Sequence, residues 1–451
     1  MHKKPTPTIR DPIHGFVTLS SAELSLLDQP ALQRLRNVKQ LGLVDLAFPG
    51  ATHTRYNHSL GAMHVATRLF DSLFGKGDLP TAVHNHFRQA VRVAMLLHDI
   101  GHPPLSHAAE AAMPAVKELQ LPKGSPCRNL DERATHEDYT LKIILDSSLT
   151  AALKHLFGDQ GISPRGIAAL ICARPEETNI FTHNGLDYTP ILKQIVSSEC
   201  DADRMDYLRR DSVFCGVDYG KFDADWLIHN VVPVQQDGSV YLGLLSRALF
   251  AFEDFLLSRY HMFATVYLHH TPVLFNELLR RCFFSLGESF TLPGDIEAYL
   301  SIDDITIWHT LRTSLNPWAR LIVQRRPYHM LTEHRYEGDE QESRSQPSTA
   351  LQDLHARLVR QSLEPVTIHS ESTLAKSPRA CRDIYILTPT GKAVPLDHYV
   401  PLYRRYRHPA RFHRVYVPAV QKQQAAKVLH TWIDHGHPRK QHQNNGVEAV
   451  L

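Results

Sequence analysis

The densest chemistry in the chain lies in AMLLHDIGHPPLSHAAE, residues 94–110, where His98 and Asp99 are adjacent and His102, His107 and Glu110 follow closely. Neutral imidazole and carboxylate together suit a divalent cation, and a histidine with an acid behind it suits proton transfer near neutral pH. Phe87, Val91, Ala94 and Met95 recur at helical steps that put them on one face with His98, so its ring points into a core. A buried, ionised Asp99 then needs a partner or a metal. Pro103 and Pro104 stop the helix. Taken alone, an HD dipeptide reads more readily as a helix end with satisfied core histidines and a solvated aspartate.

Two other stretches could complete a site. In FPGATHTRYNHSLGAMHVATRLF, the turn residues precede a helix with Asn57 as its N-cap, His58 in its first turn and Arg55 placed to hold an anion. In ILKQIVSSECDADRMDYLRRDSVFCG, Asp203, Tyr207 and Asp211 share one helical stripe. Two carboxylates on the apolar side of a helix want a cation, although an exposed face with Arg204, Arg209 and Arg210 as partners fits equally.

These side chains need elements to carry them. Residues 1–12 read as an extended arm, since Pro5, Pro7 and Pro12 exclude helix, and HGFVTLS reads as a short strand. Residues 21–42 read as two helical pieces broken at Pro30, with Arg34, Arg36 and Lys39 on a solvated face. A loop is expected at 114–130, then a helix at 135–145 capped by Thr135 with His136 at its start. Helices follow at 148–157, 164–172 and about 190–211, then one long or kinked helical region at 240–284 carrying Arg259, Phe263 and Tyr267 on one stripe. The polar stretch 333–350 reads as a loop or linker. Beyond it, two strand-like segments and a helix at 419–434 predict a small α+β unit. Its LYRRYRHPARFHR segment reads as a charged strand face in preference to a nucleic-acid surface.

Composition bounds the rest. A chain of 451 residues exceeds one ordinary core, and 43% hydrophobic with 21% charged residues is globular rather than disordered. A net charge of +2 argues neither for nor against a polyanionic partner. Six cysteines without a CxxC pair argue against thiolate zinc and for reduced thiols. With no apolar run of membrane-spanning length and no signal-peptide stretch, a soluble cytoplasmic protein is expected.

His58, then His98 and Asp99, then Asp203, on three helices, is an order that resembles the H…HD…D pattern of the HD phosphohydrolase superfamily. More narrowly, DPIHGF, QRLRNVKQLG, FPGATHTRYNHSLG, HDIGHPPLSH, THE and DADRMDYLRRD resemble the deoxynucleoside triphosphate triphosphohydrolase branch, from about residue 9 to 285. That resemblance implies a mainly α fold with an HD-domain helical core, taken as 13–332; the residue pattern adds an arm at 1–12, a linker at 333–350, a smaller C-terminal α+β domain at 351–435 and a disordered tail at 436–451.

It also implies roles. His58, His98, Asp99 and Asp203 would ligate one or two divalent ions, whether Mn, Mg, Fe, Ni or Zn. Arg55 and Arg204 would contact phosphate, and His102 and His136 would face phosphate or a second ion. His107 would be the general acid, oriented by Glu110. Gln40 and Leu41 would meet the sugar, Tyr207 and Asp211 would bound the nucleoside pocket, and Arg259 and Tyr267 would close the phosphate and sugar end. The implied reaction turns a dNTP into deoxynucleoside and tripolyphosphate. Asp28, Gln33 and Arg36 match an activating-nucleotide site of the vertebrate relative, where Pro7 here replaces a lysine. A nucleotide effector and a homo-oligomer, dimer or tetramer, are implied on resemblance alone. The rivals are a phosphodiesterase or nucleotidase acting on another phosphate ester, and a non-catalytic nucleotide or nucleic-acid binder.

Overall fold

A computed structural model describes residues 6–75, 77–122, 125, 129–172, 180–285, 290–336, 347–372, 384–406 and 410–434. The architecture is mainly helical, with small sheets at its margins. At its centre runs the helix Arg55–Leu73, which buries residues on every side, from Tyr56 and His58 to Met63, Ala66 and Phe70. A helix buried all round belongs in the middle of a core. The helices Thr81–Leu97 and Ala202–Cys215 pack against it. Gly61 sets the second contact, because a Cβ there would lie 2.1 Å from both Arg210 Nη2 and Asp206 Oδ1.

The described part of the amino-terminal arm begins at residue 6. Its strand Thr8–Asp11 pairs antiparallel with Gly15–Thr18. Two short helices, Ser21–Leu27 and Pro30–Arg34, follow with the expected break at Pro30. The helix at 55 starts earlier than expected: Thr54 is its N-cap, and Asn57 lies in the first turn, where its Oδ1 accepts from Thr54 Oγ1 at 2.7 Å. The helix His136–Leu145 begins where Thr135 donates its N–H to Asp138 at 2.8 Å. Helices Ser148–Phe157 and Pro164–Ile171 stand where periodicity places them.

Three further expectations are corrected. The helix expected over 190–211 is two, Thr189–Val196 and Ala202–Cys215. Asp201 divides them by accepting the backbone N–H of both Ser198 and Arg204, a local alternative to helical bonding. The region 240–284 opens with a strand, Ser239–Leu245, paired with Val231–Gln236 through an Asp237-Gly238 turn in which both residues have positive φ. Helices Leu249–Met262 and His270–Ser285 follow, with a π-helical turn at Phe263–Tyr267 after the first. Finally, the polar stretch from 333 is strand as far as Tyr336 and helix from Pro347, while 337–346 lie outside the described residues. Glu333 belongs in a strand because Arg414 donates to it from the facing position at 2.5 Å.

The C-terminal strands serve two sheets. Ala410–Val417 lies between His329–Tyr336 and Val366–Ser372, and a separate apolar cluster around Leu354, Leu358 and Trp432 backs that sheet with the helices Pro347–Arg360 and Lys422–Asp434. Tyr385–Leu387 instead joins Ser239–Leu245 in parallel, with Gly243 opposite Tyr385. The tail expected at 436–451 lies outside the described residues.

Candidate functional site

The three helices bring His58, His98, Asp99 and Asp203 to one point. His58 Nε2 is 3.3 Å from His98 Nε2, 3.1 Å from Asp203 Oδ1 and 3.6 Å from Asp99 Oδ2. His98 Nε2 is 3.5 Å from Oδ1 of both acids. His98 caps the C-terminus of its helix, and its Nδ1 lies 2.7 Å from the Met95 carbonyl. His58 Nδ1 lies 2.8 Å from Asp206 Oδ2. Both partners only accept, so each Nδ1 donates and each Nε2 offers a lone pair to the centre. These donors fit a metal ion: ligand atoms about 2.0–2.2 Å from an ion stand about 3 Å apart.

The electrostatics agree. Burial lowers the His58 imidazole, but hydrogen bonds to Asp203 and Asp206 and the charge of Asp99 push it up to about 10. Burial likewise opposes the Asp203 carboxylate, yet His58 and His98 hold it well below its ordinary range. The pocket therefore demands positive charge, as a proton or as a cation. Asp99 is also paired with Arg55, whose Nε donates to Ser106 Oγ at 2.9 Å, and its Oδ1 is 3.3 Å from His102 Nε2.

Beside this centre sits a second group. His102 stacks on His136 at 3.9 Å, and His107 stands edge-on to both rings. Glu110 Oε1 is 3.0 Å from His107 Nδ1 and 2.8 Å from His136 Nδ1. The 3₁₀ helix Ser106–Ala112 makes this possible, since side chains three apart eclipse in that geometry. Burial and the charges of Arg55 and His136 hold His102 well below its ordinary pKa, so it is neutral. The two histidines against Glu110 outweigh burial and keep it ionised. Leu105 and Ser106, with φ of 58° and 53°, turn the chain between the two groups. Asp304 braces that left-handed turn, accepting from Leu105 N at 2.7 Å and Lys39 N at 3.0 Å.

A cleft of about 320 Å³ opens over both groups, lined by Gln40, Leu41, Arg55, Asp99, His102, His107, His136, Asp203, Tyr207, Asp211 and Tyr267. Tyr267 Oη donates to Asp211 Oδ2 at 2.7 Å, and His53 Nε2 is 2.7 Å from Asp211 Oδ1. Arg204 and Arg259 are not among the lining residues; both are buried and donate to Glu199 Oε2, at 2.6 and 3.1 Å. Arg36 lies elsewhere, over the Tyr56 ring at 3.7 Å and bonded to Gln33 at 2.8 Å, in the wall of a separate groove of about 420 Å³. Asp28 caps the C-terminus of the helix Ser21–Leu27. Asp206, His14 and Ser106 were not anticipated as site residues. The signal for Asp206 was its place one helical step after Asp203.

The HD domain family matches residues 55–210, and the HD associated region matches 222–341. An uncharacterised protein of Methanocaldococcus jannaschii is 30% identical over 73% of this chain and 60% of its own. The human deoxynucleoside triphosphate triphosphohydrolase SAMHD1 is 25% identical over 67% of this chain and 50% of its own. The chain thus spans only about half to three-fifths of these relatives. A hypothetical protein from Aquifex aeolicus has a solved structure that covers 94% of this chain and 100% of its own, with a TM-score of 0.70 and 29% identity. A phosphohydrolase from Bacteroides thetaiotaomicron shares the fold at a TM-score of 0.65 and 23% identity, over 91% of this chain and 100% of its own. Among the described residues no helix is long and apolar enough to cross a membrane. The chain therefore carries an HD domain followed by an HD-associated region, and deoxynucleoside triphosphate triphosphohydrolases are among its distant relatives.

Proposed function

We propose that the cleft hydrolyses deoxynucleoside triphosphates, releasing deoxynucleoside and tripolyphosphate. The observation that carries this reading is the convergence of four donor atoms, from His58, His98, Asp99 and Asp203, beside the His107–Glu110 pair, with Asp99, Asp203 and His107 lining one cleft. These four residues would hold a divalent ion, which supplies Lewis-acid activation of water and of phosphate oxygens. Arg55 lines the same cleft and offsets phosphate charge there.

Water oxygen bonds to the α-phosphorus as the bond to the 5′-oxygen breaks, and the proton this water loses passes to solvent, from which His107 is later reprotonated. His107 gives that oxygen its proton, leaving a 5′-hydroxyl. Its Nδ1 faces the Glu110 carboxylate, so Nε2 carries the donated proton and the ionised acid stabilises the charged ring. His102, kept neutral, and His136 would steady the phosphate chain. Gln40 and Leu41 would meet the sugar, with Tyr207, Asp211 and Tyr267 around the nucleoside. Arg204 and Arg259 reach phosphate only by exchanging Glu199 for it. A nucleotide effector near Asp28, Gln33 and Arg36, and a homo-oligomer, belong to the same reading.

The test is purified protein with Mn²⁺ or Mg²⁺ and each dNTP and NTP, singly and mixed, with the polyphosphate products resolved. Tripolyphosphate supports the reading. Pyrophosphate moves the cleavage to the bond between α- and β-phosphorus and rejects it. Binding of single-stranded nucleic acid without hydrolysis would favour a non-catalytic binder.

A further inference from the structure

The blocks DPIHGF, NHSLG and DYLRRD meet behind the metal-facing side of the site. Asp206 is fully buried and has three partners: His58 Nδ1 at 2.8 Å, His14 Nε2 at 2.6 Å, and Arg210, which binds both oxygens through Nε at 2.8 Å and Nη2 at 2.9 Å. Arg210 Nη1 also donates to Asp11 Oδ2 at 2.9 Å. The other oxygen of Asp11 accepts the backbone N–H of Ile13 and of His14, each at 2.9 Å, and so folds the turn between the first two strands. One carboxylate thus links the turn of the amino-terminal hairpin to the far nitrogen of His58. Gly61 leaves the space for it.

We propose that the amino-terminal hairpin is part of the metal centre: His14 directly, and Asp11 through Arg210, hold Asp206 in the orientation that fixes the His58 ring. Asp206 and His14 are then positioning residues for the ion. The proposal rests on the reading of His58 as a ligand. Outer partners of a ligating imidazole set its tautomer and direction, and removing one costs about 10- to 100-fold in metal affinity. A purely structural role would give a different pattern. The buried Glu23–Arg92 pair, with contacts at 2.6 and 2.7 Å, is a comparable ionic tie elsewhere in the amino-terminal region, and breaking it should lower stability without changing affinity.

The experiment measures Mn²⁺ dissociation constants by electron paramagnetic resonance on the full chain stripped of metal, with circular dichroism and melting temperature recorded for every variant. Asp206→Asn should weaken Mn²⁺ binding by about 10- to 100-fold and His14→Ala by about 10-fold. His14→Gln, which keeps a donor, should recover part of that loss, and Glu23→Gln should melt lower yet bind as wild type. Should Asp206→Asn not fold, the two His14 variants decide alone. Folded His14 variants that bind Mn²⁺ as tightly as wild type, while Asp203→Ala does not bind, would overturn the proposal and leave the metal centre standing. Wild-type affinity in Asp203→Ala would remove the centre itself and this proposal with it.

Discussion

His58 and His98 face each other through their Nε2 atoms, 3.3 Å apart, while each Nδ1 is turned outward to an acceptor. Two lone pairs so placed repel unless a positive charge lies between them, and the carboxylates of Asp203, Asp206 and Asp99, which push the His58 imidazole up to about 10 against its burial, favour such a charge.

Metal binding should therefore release protons. The His58 pKa is raised above its unfolded value, so below about 10 an incoming ion displaces a bound proton. Affinity should rise with pH, by about tenfold per unit for each proton released. Calorimetry of Mn²⁺ binding in buffers of different ionisation enthalpy counts those protons. An affinity that is flat from pH 6 to 9 would contradict the arrangement.

His107→Ala should reduce turnover by about a hundred- to ten-thousand-fold, the usual worth of a general acid, with the Mn²⁺ dissociation constant unchanged. Glu110→Gln should fall less, because Glu110 only orients His107 and His136. Steady-state kinetics beside metal titration separates the two effects. An equal loss of metal would place His107 among the ligands instead.

Gly61→Ala tests the helix crossing. The new Cβ would lie 2.1 Å from Arg210 Nη2 and Asp206 Oδ1, so the pair must part. Overpacking of this kind costs about 1–3 kcal/mol, visible in urea denaturation. Mn²⁺ affinity should fall with it, since Asp206 holds His58.

Asp304 carries a stability signature in pH. Burial pushes its carboxyl up to about 6 against the N–H groups of Leu105 and Lys39. A raised folded-state pKa means that the fold binds this proton more tightly than the unfolded chain does. Its contribution is complete below about pH 4 and is lost as pH rises through about 6. Asp304→Asn lacks that proton and one acceptor, so the variant should be the weaker at pH 4, with the gap narrowing towards pH 7. Thermal melts at the two pH values measure it, and a constant gap would show that Asp304 does not titrate in this range.

Much of the site is readable in the amino acids, because periodicity fixes which way His98 points and proline fixes where its helix stops. The families of motifs fixed the order of the helices, and the fold is mainly α as that order implies. What escaped were contacts between segments distant in the chain. Nothing near Arg259 announces that it shares Glu199 with Arg204. Nothing near His14 announces Asp206. The single helix expected over 190–211 ran across a break that depends on one side chain, Asp201, bonding backwards and forwards. The strand Ser239–Leu245 was lost inside a helical region because its apolar run suits either period, although Asp237-Gly238 is a hairpin signal. The charges of Glu333 and Arg414, which looked like solvated loop and strand face, neutralise each other across a ladder.

The parallel pairing of Gly243–Leu245 with Tyr385–Leu387 has a consequence for biosynthesis. A nascent chain that has already made the hairpin at 231–245 must wait for more than a hundred further residues before that edge finds its partner. Until then it exposes unpaired amides, the template on which strands of separate molecules join. Ribosomes stalled before residue 385 would therefore release products prone to cross-pairing, however complete the helices of their HD domain.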